Sequence, residues 1–193
     1  LLRVLAERMG DEDPALRGGF DAPNAFDAAA RSDSLTGLGN RRWMEDAFER
    51  ELLRCERSGT PAALLMIDID RFKNVNNSVG RRIGDAVLAR LAELLRRALR
   101  PRDLCARFGG EKFCVLLPEL GARKALQTAE RLRARIDAQP AQISRDVLVS
   151  YSVSIGVAEW RPGQRLDEMI KSAGEALGAA KLAGRNCVQL AGS

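Results

Sequence analysis

The stretch that most constrains this chain is Arg107-Phe108-Gly109-Gly110-Glu111-Lys112-Phe113, set between the apolar runs Leu104-Cys105-Ala106 and Phe113-Cys114-Val115-Leu116-Leu117. Adjacent glycines between two β-type runs predict a tight hairpin, because only glycine takes positive φ without steric cost. A bare backbone at the tip also lets a phosphate approach the main chain. Glu111 then stands at the apex, where a carboxylate adds little to a core but makes a good cation ligand. Taken alone, the same residues read first as a solvated hairpin with a charged tip.

The rest of the chain arranges itself around that hairpin. Leu1, Val4, Leu5 and Met9 have helical spacing, and residues 10 to 30 are acidic with Gly, Pro and Asn, so 1–32 reads as a helix end and linker from an upstream region. Residues 33–193 read as one domain. A helix with Trp43, Ala47, Leu52, Leu53 and Cys55 inward stops at Ser58-Gly59-Thr60-Pro61. Ala62 to Ile69 is continuously apolar and predicts a buried strand, with Asp68 and Asp70 at its end. Asn74 to Gly84 is polar and glycine-marked, hence a loop; Asp85 to Leu99 is an amphipathic helix ended by Pro101. After the hairpin come a helix from Ala122 to Ala138, a long alternating strand from Asp146 to Glu159, a helix from Leu166 to Leu182 and a short strand at Cys187-Val188-Gln189-Leu190.

The order strand, helix, strand, strand, helix, strand is the split βαβ plan: an α+β, ferredoxin-like βαββαβ core whose mainly antiparallel sheet is flanked by helices. In that plan the third strand lies between the first two and runs antiparallel to the first. The hairpin tip therefore falls beside the end of the first strand, bringing Glu111 next to Asp68 and Asp70. Converging carboxylates at a sheet end suit a magnesium site for phosphoryl or nucleotidyl transfer, with a surface acidic cluster as the plain alternative.

Composition narrows the chemistry. The sequence has no histidine, so zinc sites and histidine general bases lack their usual residue, and oxygen ligands favour Mg2+ or Mn2+. A net charge of +5 suggests anionic partners, but aromatics at 5% are too few for the stacking platforms of single-strand binders, which argues against nucleic acid. The four cysteines show no CxxC spacing and read as reduced core thiols of a cytoplasmic protein. No apolar run approaches the roughly 20 residues of a membrane span, and the start at Leu1 suggests a piece of a longer protein.

The ordered motifs resemble those of the GGDEF domain family of diguanylate cyclases: Asp33-x-Leu35-Thr36-Gly37-Leu38-x-Asn40-Arg41, Asp68-Ile69-Asp70-x-Phe72-Lys73-x-x-Asn76, Gly80 and Gly84-Asp85, Arg107-Phe108-Gly109-Gly110-Glu111, Ser154-Ile155-Gly156-Val157 and Lys181-x-x-Gly184-Arg185-Asn186. The resemblance implies a bacterial, palm-type domain related to nucleotide cyclases, which condenses two GTP to cyclic di-GMP and two diphosphates. It implies that Asp68 and Glu111 are catalytic and, with the carbonyl of Ile69, hold the metal. Asn76 and Asp85 match the residues that read the guanine edge, which a carboxylate can do by accepting from N1 and N2. Phe72, Lys73, Lys181 and Arg185 match further substrate-binding positions, the cations against phosphate. Arg100-x-x-Asp103, ending just before the hairpin, matches the product-inhibition site, with Arg131 as a candidate second arginine. Catalysis in the family needs a homodimer, each domain presenting one GTP, under control of an upstream regulatory domain, with the domain cytoplasmic or the cytoplasmic part of a larger protein.

The signature departs from the family pattern at Lys112, where an acidic residue is usual. Two like charges about 4 Å apart repel by about 4 kcal/mol at an effective dielectric near ~20, enough to disturb a metal held by Glu111 and Asp68. Asn77, Arg81, Glu175 and Gly178 also replace the residues usual at their positions. The expectation is a domain that binds GTP or cyclic di-GMP with cyclase activity weak or lost, the alternative being an active, product-inhibited cyclase.

Overall fold

A computed structural model describes residues 31–192, so all but the last two residues of the expected lead-in helix and linker, 1–32, lie outside the described residues. Strand β1 (Ala62–Ile69) is buried at every position, as a continuous apolar run on a two-sided sheet requires. It pairs antiparallel with β3 (Lys112–Pro118) on one side and with β6 (Val153–Glu159) on the other. Adding β2 (Leu104–Gly109) and β7 (Val188–Leu190) gives the order β2-β3-β1-β6-β7, with only β7 parallel to its neighbour β6. Among the described residues five helices flank this sheet: α1 (Arg41–Ser58), α2 (Phe72–Val79), α3 (Arg81–Ala98), α4 (Ala122–Asp137) and α5 (Leu166–Leu182). The expected α+β plan, with β3 between β1 and β2, is the one observed.

Period-two alternation along β1 divides the core. Leu65, Ile67 and Ile69 face one layer with Leu88 and Leu91 of α3 and Leu132 and Ile136 of α4. Leu64 and Met66 face the other, with Met44 and Phe48 of α1 and Met169 and Leu177 of α5. Asp68 continues the second set, so its side chain belongs to the face that α5 covers. That helix sits very close to the sheet: a Cβ at Gly156 of β6 would lie 2.1 Å from the carbonyl oxygen of Ala173.

Three local expectations are corrected. Residues 74–84 are not a loop; α2 and α3 meet at Gly80, whose φ of 85° breaks the helical path. Their outward faces are polar, and Phe72 is the one buried residue of α2, so periodicity had little to report. The long strand from Asp146 is interrupted: β5 (Val147–Val149) pairs with β4 (Ala141–Ser144) in a separate ribbon, and β6 starts at Val153. The break falls where Asp70 takes hold of Ser152, its N–H donating to the Ser152 carbonyl at 2.9 Å. On α1 the inward stripe is Met44, Ala47, Phe48, Leu52 and Cys55, and Leu53, one residue and about 100° further round, is exposed.

Candidate functional site

The hairpin is as tight as its glycines allow. Gly109 pairs with Lys112, leaving Gly110 and Glu111 as the loop, and Gly110 supplies the positive φ, 56°, at its first position. A bulge between Arg107 and Gly109 re-aims the end of β2. From there the Arg107 guanidinium donates to the Gly110 carbonyl through Nε and Nη2 at 3.0 and 2.8 Å. Its Nη1 pairs with both Asp33 oxygens at 3.1 Å. Asp33 also accepts from Thr36 N and Oγ1, at 2.9 and 2.7 Å, closing the turn before α1, and Asn40 then caps α1 by accepting from Trp43 N. The first motif is thus the brace of the hairpin.

Beside this tip lies the end of β1. Lys112 is directly opposite Asp68 in the ladder, and Ile69 N–H points to the Glu111 carbonyl at 3.4 Å. The expected convergence of Glu111 on Asp68 is therefore present. Asp68 is 1% exposed, and Lys181 Nζ of α5 stands 2.8 Å from its Oδ1. Asp68 Oδ2 has no hydrogen-bond donor. Burial pushes the Asp68 carboxyl above the usual carboxylate range, with Glu111 adding to the shift and the Lys181 and Lys112 ammonium groups opposing it. A buried carboxylate with one cation on one oxygen and nothing on the other is a ligand awaiting further positive charge.

Asp70, the third carboxylate of the expected cluster, is used elsewhere. It accepts from Ser152 Oγ at 2.7 Å, Ser154 Oγ at 2.6 Å and Asn186 N at 3.0 Å, tying β1 to β6 and to the turn before β7. That turn has Arg185 and Asn186 both at positive φ, 67° and 46°. With Asp70, Arg71 and Asn74, Arg185 lines an open cavity of about 490 Å³ next to the β1 end.

Asn76 and Asp85 come from different helices, and Gly84 is what lets the helices meet. A Cβ there would lie 1.8 Å from Asn76 Oδ1, a buried atom with no hydrogen-bond partner. An orphaned amide oxygen, packed on the glycine that precedes an exposed carboxylate, is suited to a ligand edge rich in N–H donors. Lys73 is exposed, and Phe72 packs into the core beneath it.

Arg100 and Asp103 are engaged with one another. Asp103 accepts from Arg100 N at 2.8 Å, Nε at 3.0 Å and Nη2 at 2.6 Å, while Nη2 also reaches the Pro118 carbonyl at 3.1 Å. Arg131 is exposed on α4, and no hydrogen bond or ion pair joins it to either residue. Arg107 and Asp70 are the residues whose roles the sequence did not suggest. Both lie in motifs, but their partners are distant in the chain.

The family model described as "Diguanylate cyclase, GGDEF domain" matches residues 30–187, and the chain belongs to that family. Among relatives, it is 36% identical over 158 residues to diguanylate cyclase DosC of Escherichia coli, covering 82% of this chain and 34% of DosC. The chain thus spans about a third of that relative. Among solved structures, the coiled coil and GGDEF domain of DgcB from Caulobacter crescentus, in complex with c-di-GMP, superposes with a TM-score of 0.80 at 32% identity, over 86% of this chain and 88% of that one. The active GGEEF domain of a diguanylate cyclase from Vibrio cholerae gives 0.75 at 29%, over 81% and 99%. At the position of the second glutamate in that GGEEF, this chain has Lys112. No helix among the described residues is long and apolar enough to cross a membrane.

Proposed function

We propose that this chain is a guanine-nucleotide domain of bacterial cyclic di-GMP signalling, binding GTP or cyclic di-GMP at the β1–β3 end, with cyclase activity weak or lost. The observation that carries the reading is the Asp68 carboxylate, buried, open on Oδ2 and flanked by Glu111, Lys112 and Lys181. The donor set fits a hard divalent cation: Asp68, Glu111 and the Ile69 carbonyl would hold Mg2+ or Mn2+, which when bound would polarise the phosphate under attack.

The chain's own residues supply the rest. Asn76 and Asp85 would orient the base, and Lys73, Lys181 and Arg185 would hold phosphate oxygens. In a homodimer, each 3′-hydroxyl would attack the α-phosphorus of the other GTP and expel diphosphate, with alignment the main contribution of the protein. Lys112 places an ammonium where the family has a carboxylate, close to the two metal-holding side chains, and that favours binding over turnover. The retained Asp68 and Glu111 favour the second reading, an active cyclase restrained by product at Arg100, Asp103 and Arg131.

Cyclic di-GMP formation from GTP and magnesium, at high concentration of protein freed of bound product, separates the two. Silence from the native chain and product from Lys112→Glu are expected. Product from the native chain at a rate matching or exceeding Lys112→Glu, and lost in Glu111→Ala, establishes the active cyclase instead.

A further inference from the structure

The charges at the β1–β3 end bear on what this site requires of its ligand, on the nucleotide reading above. Asp68 and Glu111 contribute two negative charges. Lys112, opposite Asp68 in the ladder, and Lys181, 2.8 Å from Asp68 Oδ1, contribute two positive ones. The four side chains sum to zero. With glutamate at 112, three carboxylates against one ammonium would sum to minus two. The difference between the two cases equals the charge of one divalent cation.

That difference matters because the ligand is itself an anion. A site of net charge minus two repels a triphosphate until metal has entered, and its buried carboxylate, Asp68, has Lys181 alone as counter-charge in the meantime. Lys112 removes both obstacles from within the chain. Residues opposite one another in an antiparallel pair share a face, so Lys112 and Asp68 point to the same side of the sheet, the side on which Lys181 stands. Lys112 is exposed, on a flexible stem with three N–H donors, and can pair with carboxylate or phosphate oxygens.

We propose that Lys112 stands in for a divalent cation, so that this site takes the triphosphate of a guanine nucleotide with little dependence on metal. An ammonium supplies charge without the fixed coordination geometry of a metal, so binding persists where alignment for transfer is lost.

Calorimetric titration of a non-hydrolysable GTP analogue, in EDTA and in excess magnesium, tests this on the native chain, Lys112→Glu and Lys112→Met. The native Kd changes by less than about threefold between the two media, whereas Lys112→Glu binds at least about thirtyfold more weakly in EDTA and recovers in magnesium. Lys112→Met falls between them and serves as the charge-only comparison if the reversal disturbs folding. Titration of ligand-free protein with Mn2+ gives an independent readout, with Lys112→Glu binding the ion at least about tenfold more tightly than the native chain. Native binding only in magnesium overturns this inference and leaves the nucleotide site standing. No native binding in either medium overturns both.

Discussion

The Asp33 carboxylate receives the Arg107 guanidinium at 3.1 Å on both oxygens, across most of the first half of the domain. Both side chains are largely buried, and the same guanidinium holds the Gly110 carbonyl. Arg107→Met therefore breaks an ion pair and releases the hairpin tip together. A loss of about 2 kcal/mol in urea denaturation is expected, with the denaturant slope unchanged. A loss confined to a few tenths would mean that the pair braces nothing.

Asp33 also gives the domain a sensitivity to acid. Burial alone would raise its pKa, but hydrogen bonds from Thr36 and Arg107, with the charge of Arg107, outweigh burial and hold the carboxyl below the usual range. A carboxylate depressed in the folded state contributes stability above its unfolded pKa and loses it as pH falls through the folded one. Stability should fall on acidification below about pH 4. Over that window Asp33→Asn, though less stable at neutral pH, should show a shallower fall in Tm.

Lys181 and Asp68 form a pair in which one partner is 1% exposed and the other about a third. Removing the ammonium by Lys181→Met leaves the buried carboxylate without its 2.8 Å ion-pair partner, at an expected cost of about 2 kcal/mol, reduced from a fully buried pair by the access of solvent to Lys181 and by the charge of Lys112. Adding Asp68→Asn should recover most of that loss. A double-mutant cycle with no coupling would show that the pair is incidental.

Gly84→Ala probes the meeting of α2 and α3. The new Cβ meets Asn76 Oδ1 at 1.8 Å, so the amide must swing away. On the nucleotide reading, guanine-nucleotide affinity drops about tenfold or more while the fold survives, since the atom that moves ends a flexible, half-buried side chain. Unchanged affinity with an unchanged melting curve would detach Asn76 from the base.

Arg100→Ala is a stability variant as well as a binding variant. Asp103 is 2% exposed and loses its guanidinium, keeping only the Arg100 N–H among its three Arg100 donors. We expect about 1–2 kcal/mol of destabilisation, moderated by the exposure of Arg100. Weakened cyclic di-GMP binding in this variant is informative only beside Arg131→Ala, which makes no such internal contact and should leave the melting temperature unchanged.

Much of this site could be read from sequence, for a reason visible in β1. Its unbroken apolar run, the glycine pair and the amphipathic stripe of Val87, Leu88, Leu91 and Leu95 are local periodic signals, and antiparallel pairing of β1 with β3 then puts Glu111 beside Asp68. The motifs added the family. What periodicity could not report was decided by contacts between distant segments. The polar α2 is a helix because Phe72 and the packing on α3 hold it, and the strand breaks before Val153 because Asp70 draws in Ser152 and Ser154. Lys181 meets Asp68 only because the bare Gly156 lets α5 lie close on β6, and Arg107 meets Asp33 only across the finished sheet edge. Hydrogen bonds and ion pairs of this kind carry no period along the chain, so the sequence determined the scaffold and the carboxylates, and the tertiary structure decided which charges surround them.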